Sequence, residues 1–271
     1  MEIKSVLVIS DISCVGKCSL TVALPVISAL GIEVSVLPTA LLSTQTGGFT
    51  NYYFKDLSQE LEKIINHLKT LNKKFDCIYI GYLANIKQIN IAIEIIKLFK
   101  ADNGFTVVDP VMADSGKLYE HFDIEYPNHI IKLCKIADYI LPNLTECLLL
   151  TKENSFIIAK EKLKDICLNY AVTSVIDNNK INTVCFNSKN EFIVTHDIIS
   201  GNFHGAGDLF ASALIACMLY GLSFENSVKL ANDFCYKSIL DTKNNGRDTK
   251  FGLLFEKNIL NFILSVNKIV D

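Results

Sequence analysis

The sequence predicts an α/β sandwich built on a mainly parallel sheet, and three observations carry that expectation. Short apolar runs alternate with longer stretches of helical spacing along the whole chain, the pattern of strand–helix–strand units with both sheet faces covered. No linker, low-complexity stretch or repeat divides the 271 residues, so residues 1–271 are expected to form one domain. Polar residues recur just past the carboxyl ends of several predicted strands: Asp11 and Ser13, Gly81 and Tyr82, Asp109, and Asn143. In open α/β sheets the ligand crevice lies outside those ends.

The elements follow in order. Val6–Ser10 reads as a buried strand, 21–30 as a helix ended by Gly31, and 32–39 as a second strand. A polar loop, 43–48, comes next. Leu61, Ile64, Ile65, Leu68 and Leu71 recur at helical spacing after Asp56 or Ser58 as a cap. Strands are expected at 77–80, 105–108, 139–141 and 171–176, with helices at 86–99, 130–135 and 157–170. Two strands, 183–186 and 192–195, flank Asn187-Ser188-Lys189-Asn190, a hairpin signal. Helices at 208–220, closed by Gly221, and at 225–240 precede a terminal helix.

Composition narrows the function. A net charge of −3 and a pI near 6.0 leave no basic excess to attract nucleic acid or an anionic membrane surface. The apolar run 209–222 is too short to span a bilayer. The chain opens Met1-Glu2-Ile3-Lys4 and enters a strand-like run at once, unlike a signal peptide. Nine cysteines, mostly inside apolar runs, read as reduced core residues of a cytoplasmic protein. Cys14 and Cys18 have no second ligand pair, so no zinc site is expected there.

Three segments carry chemistry. Gly205-Ala206-Gly207-Asp208 precedes an apolar helix. Its free N–H groups suit an anion such as a phosphoryl group, and Asp208 can accept a proton from an attacking hydroxyl. From local pattern alone, Asp208 reads first as a residue that caps or sits in the first turn of that helix. Asp109 and Asp114 flank a Pro-containing turn and can face Mg²⁺ or phosphates, or simply build that turn. Asn143 and Glu146 have the spacing of a capping box, which is compatible with Glu146 lying near a metal-bound water. Val15-Gly16-Lys17-Cys18-Ser19 is no P-loop: the first glycine of that motif would fall on Asp11, and Cys18 replaces its hydroxyl residue. His204 alone of the five histidines borders the 205–208 loop.

Taken in order, 18–25, 37–49, 109–112, 142–146 and 203–208 resemble the ribokinase-like superfamily, and within it the pyridoxal/pyridoxamine kinases in the form common in Firmicutes. The resemblance runs from Val6 to about Ile239. It implies a three-layer α/β/α sandwich and ATP-dependent phosphorylation of the 5′-hydroxymethyl group of a B6 vitamer. It implies Asp208 as the base and Gly205, Ala206 and Gly207 as the anion hole. Asp109 and Asp114 fall on the ATP-phosphate and metal side, and Asn143 and Glu146 in the segment that organises Mg²⁺. Ser13, Thr46 and Tyr82 fall around the pyridine ring. It also implies a monovalent cation such as K⁺ and a homodimer with the 43–54 region near the partner. Stretches 44–54 and 178–202 are lid candidates. The chain departs from the pattern at Ala206 (often Thr), Ala113 (usually Gly) and Gln45 (often His). The other readings are a hydroxymethylpyrimidine kinase of thiamine synthesis, a sugar kinase, and a non-catalytic vitamer-binding protein.

Overall fold

The computed structural model describes residues 3–270. The chain start and the outer ends of the expected 1–271 domain lie outside the described residues. A nine-stranded sheet organises the rest. In chain order its strands are β1 (Ser5–Val15), β2 (Glu33–Thr44), β3 (Phe54–Asp56), β4 (Phe75–Ile80), β5 (Lys100–Val108), β8 (Tyr139–Ile140), β9 (Asn169–Asp177), β10 (Lys180–Asn187) and β11 (Glu191–Asp197). A separate two-stranded hairpin, β6 (Ala113–Asp114) and β7 (Lys117–Leu118), follows β5. The spatial order is β11-β10-β9-β8-β5-β4-β1-β2-β3. The pairings from β2 through β9 are parallel, and antiparallel pairs close both margins.

Successive residues of the central strands feed two different cores. Leu7 and Ile9 of β1, Ile78 and Ile80 of β4, and Val108 of β5 enter one core. Val6 and Val8, Cys77 and Tyr79, and Val107 enter the other. This follows from the two-residue period of a strand, and it explains why these strands are continuously apolar. The first core is covered by α2 (Ser58–Leu68), α3 (Ile86–Phe99), α4 (Tyr126–Cys134), α5 (Leu144–Thr151) and α6 (Phe156–Leu163). The second is covered by α1 (Leu20–Ser28), α7 (Ala206–Leu219), α8 (Phe224–Asn244) and α9 (Ile259–Val270). The result is the expected three-layer sandwich. No helix among the described residues is long and apolar enough to cross a membrane.

The expected elements are present, with corrections. The helix expected at 157–170 ends at Leu163, and Asn169 already opens β9. Successive three-residue turns (Lys164 to Glu161, Asp165 to Lys162, Ile166 to Leu163) keep Leu163, Ile166 and Cys167 on the core side past the helix end. The apolar spacing therefore persists where the helix does not. β1 and β2 run further than expected, so the polar loop begins at Gln45 rather than Ser43. The edge strand β3 and the β6–β7 hairpin are short, and their sequences have no strong alternation. Ser115 (φ 51°) and Gly116 (φ 80°) make the hairpin's two-residue turn.

Gln88 ties the β2–β3 margin to the helical layer. It is 1 % exposed. Its Nε2 lies 2.9 Å from Thr39 O, 3.1 Å from Asp56 Oδ1 and 3.1 Å from Ser58 Oγ, while its Oε1 accepts the Ala84 N–H at 2.8 Å. Removing it strands buried acceptors on two elements. Gln88→Ala is expected to lower unfolding stability by about 2–3 kcal/mol in urea titrations; a change inside experimental error would mean that the network contributes no net stability.

Candidate active site

β1 is the point where the strand order reverses. The chain leaves it toward β2 and β3, then returns to β4 on its other side. A crevice outside the carboxyl ends of β1 and β4 is the geometric consequence. The register of β1 on β2 slips between Ser10 and Ile12: Asp11 stands opposite two residues of β2, Thr39 and Ala40, so the bulge lies on β2 beside it. Asp11 is 7 % exposed. Burial raises its affinity for a proton, against the nearby hydroxyls of Ser19 and Ser13.

Across the crevice, α7 begins at Gly205, whose φ of 78° turns the chain into the helix. No side chain caps this end, so the first N–H groups of the helix have no partner within it. Asp208 lies in that first turn, partly open to the crevice. Burial pushes its carboxyl up to about 7, and the Asp11 charge adds to the rise. A hydrogen bond from the Ser19 backbone N–H opposes both. Ser19 caps α1 with φ 47° and ψ −125°, a conformation costing on the order of 1–3 kcal/mol for a residue with a side chain. Cys18 and Thr21 brace it: the Cys18 N–H donates to Thr21 Oγ1 at 3.2 Å, and that hydroxyl donates to Cys18 O at 2.7 Å.

The acidic segments are built around Glu146. Asn143 and Glu146 form the capping box of α5, as their spacing suggested: Asn143 Oδ1 accepts the Glu146 N–H at 3.0 Å, and Glu146 Oε2 accepts the Asn143 N–H at 2.9 Å. Glu146 Oε1 accepts the Met112 N–H at 3.0 Å and the Ala113 N–H at 3.4 Å. Asn143 Nδ2 donates to Ala113 O at 2.7 Å. One buried carboxylate thus holds the turn after β5 against the start of α5. Burial raises Glu146 to about 7 despite these donors. Asp109, 8 % exposed, is pushed well above the usual carboxylate range by burial and then by the charges of Glu146 and Asp208.

Asp114 differs from both. It is exposed at the hairpin turn, where its Oδ1 accepts the Ser115 N–H at 2.7 Å. Among the described residues no three His, Cys, Asp or Glu side chains form a metal-binding group. Asp109, Asp114 and Glu146, expected together on the metal side, lie near enough to act on one another electrostatically without forming such a group. Glu146 accepts from three backbone N–H groups, and the charge of Asp114 acts both on Glu146 and on His204. Asp109 is the one of the three that is both buried and without a donor to its carboxylate among the described residues.

On the other flank, Ser13 Oγ and Tyr82 OH are buried without hydrogen-bond partners. Such groups are costly to leave unpaired and are free to meet a polar ligand. The Tyr82 ring lies 5.8 Å from that of Phe122, which stacks on Tyr126 at 3.9 Å. Thr46 is exposed on the loop after β2. That loop is folded down: the His204 ring sits where a side chain on Gly47 would be, and Gln45 Nε2 donates to Lys250 O at 2.5 Å. His204 thus packs under the loop, and burial lowers its proton affinity. The structure assigns weight to two residues to which sequence reasoning gave no role. Asp11 was visible as an acid just after a buried strand. The contribution of Ser19 is a backbone N–H, which no side-chain pattern reveals.

A carboxylate with raised proton affinity beside an uncapped helix terminus is the combination a small-molecule kinase requires: one group to take a hydroxyl proton, and donors for a phosphoryl group. The family model described as phosphomethylpyrimidine kinase matches residues 24–253, and the chain belongs to that family. A Bacteroides thetaiotaomicron structure, provisionally assigned as a phosphomethylpyrimidine kinase and solved with pyridoxal, is 33% identical with a TM-score of 0.91, covering 96% of each chain. Pyridoxal kinase from Lactobacillus plantarum is 28% identical with a TM-score of 0.91, covering 98% of each chain. A provisionally assigned pyridoxal kinase of Schizosaccharomyces pombe is 28% identical over 231 residues, 79% of this chain and 73% of that protein.

If Asp208 accepts the proton, kcat/KM falls as pH drops below about 7 rather than near the ordinary carboxylate value of 3.8. Asp11→Asn removes a repelling charge, so the acid limb is expected to move to lower pH while staying above 4, because burial remains the larger cause. A limb that does not move in a pH–rate profile would separate Asp11 from the titrating group.

Proposed function

We propose that this chain transfers the γ-phosphoryl group of ATP to the 5′-hydroxymethyl group of a B6 vitamer, giving the 5′-phosphate and ADP. The observation that carries the reading is the similarity across 96% of the chain to a structure solved with pyridoxal. The residues present suit that substrate. Ser13 and Tyr82 offer unpaired polar groups at one end of the crevice, and the Tyr82 and Phe122 rings offer flat apolar surface for a heteroaromatic ring. Thr46 belongs to the loop that closes over it.

In this mechanism the hydroxymethyl group lies between Asp208 and the γ-phosphate. Asp208 accepts the proton as the oxygen attacks. The amides of Gly205, Ala206 and Gly207 receive the phosphoryl oxygens, whose charge spreads in the transition state. Asp109 and Asn143 face the nucleotide phosphates. The buried carboxylate of Asp109, which has no donor among the described residues, would hold Mg²⁺, and the ion would supply charge neutralisation at the phosphates. Glu146 serves this region by fixing the backbone that carries Asp109, and Asp114 contributes charge at the rim. The monovalent cation suggested by the resemblance is a component of the assay buffer, not of a step. We take residues 1–271 as one catalytic domain that acts in the cytoplasm as a homodimer, with 43–54 beside the partner; Tyr53, 61% exposed, lies in that segment.

The family description itself favours a second reading, a hydroxymethylpyrimidine kinase. ATP-to-ADP turnover with Mg²⁺ and K⁺ on pyridoxal, pyridoxine, pyridoxamine and hydroxymethylpyrimidine separates the two. Selective turnover of a B6 vitamer is the expected result, and turnover of the pyrimidine alone would reverse the assignment. Asp208→Asn is expected to retain ligand binding and lose roughly 10²-fold or more in kcat. Near-normal turnover would remove Asp208 from the base role.

A further inference from the structure

Lys17 occupies the place of a phosphate-loop lysine but is engaged elsewhere. Its Nζ donates to Leu253 O at 3.0 Å and pairs with Glu256 Oε2 at 2.5 Å, 5.2 Å from the centroid of the Phe255 ring. Its N–H donates to Phe251 O at 3.3 Å. Its carbonyl oxygen is gripped from two sides. A Cβ on Gly205 would come within 2.2 Å of it, and a Cβ on Gly252 within 2.6 Å. Both glycines are left-handed, at φ 78° and 80°, so neither position accepts a side chain without strain.

The same C-terminal segment reaches the loop after β2. Lys250 O accepts from Gln45, the Phe251 ring meets the Phe49 ring edge-on at 5.3 Å, and Lys250 Nζ lies 5.5 Å from the centroid of the Phe49 ring. Two residues beyond Lys17, the strained Ser19 delivers its N–H to Asp208. Residues 249–256 are therefore in contact with Lys17, which itself abuts Gly205 at the start of α7 and lies two residues before Ser19, and with the loop that carries Thr46.

We propose that residues 249–256 are a strap that sets the geometry of phosphoryl transfer, with Gly252 as its positioning residue. Seating the Lys17 carbonyl between Gly205 and Gly252 fixes where the Ser19 N–H meets Asp208 relative to the anion-binding amides of α7. A side chain at 252 meets backbone atoms of Lys17, its O at 2.6 Å and its N at 3.0 Å. Backbone cannot swing aside as a flexible side chain can, so the displacement passes to Ser19 and to Gly205. Displacements on the scale of an ångström are enough to impair positioned group transfer. Gly252 touches no reacting atom; it acts through Lys17.

The inference rests on the kinase reading, and the test keeps the two apart. Wild type, Gly252→Ala and Lys17→Met are compared in ATP turnover with pyridoxal, well below their melting temperatures. Inorganic phosphate affinity is measured separately by calorimetry. Lys17→Met keeps the peptide and the apolar stem but releases Leu253 O and Glu256. Folded Gly252→Ala is expected to lose about tenfold or more in kcat with KM for pyridoxal within about twofold, and to bind phosphate more weakly. Lys17→Met is expected to move the same way by less. A merely structural role would lower the melting temperature and leave kcat per folded enzyme unchanged; that result overturns the proposal. If Gly252→Ala does not fold, wild-type kcat in Lys17→Met overturns it. If wild type phosphorylates no B6 vitamer, the kinase reading fails while the phosphate titration still decides the strap: an unchanged Kd in the folded variant rejects it.

Discussion

From Val6 to Ile9, β1 is hydrogen-bonded along both edges by parallel neighbours and buried on both faces, and the rest of the molecule is arranged around that constraint. A strand with no free edge and no free face can offer chemistry only at its ends. Past Ser10 the register on β2 shifts by one residue, and Asp11 and Ser13 lie on β1 beyond its last pair with β4. β4 and β5 end beside it, delivering Tyr82 and Asp109. Packing of α1 and α7 on the same face brings Ser19 and Asp208 to that point. The site is a consequence of how the sheet is buried.

That placement has an electrostatic price. Asp11, Asp109, Glu146 and Asp208 all have raised proton affinity, burial being the first cause in each case, and no cationic side chain is among the groups that set them. An anionic substrate entering such a crevice needs positive potential from another source. Backbone N–H groups supply part of it without the entropy loss of ordering a long cationic side chain. Glu146 shows how the same groups are used internally: three of them hold one carboxylate, which in turn holds two segments in register.

The architecture was legible because strand and helix periods are strong where both faces are buried. The same burial hid details. The 163–169 turn keeps its apolar residues in the core, so its spacing imitates a helix. The β6–β7 hairpin is too short for alternation to appear. Within the site, Asp208, Asn143 and Glu146 could be read from local spacing, since each belongs to a helix start. The surroundings of Glu146 could not be read that way, because two of its donors come from residues more than thirty positions away. Lys17 shows the converse. Its neighbours match only the end of a phosphate-loop motif, and its partners lie at the opposite end of the chain.

α7 is buried on nearly all sides along its length, wedged among α1, α8 and the sheet. A helix so confined has no direction in which to slide without opening a void or forcing an overlap, and well-packed interiors resist both. Its amino-terminal end is accordingly a stationary reference within the molecule. Any change of shape in the molecule falls to the loops opposite it, whose own sequences can drift without disturbing the uncapped N–H groups at the start of α7.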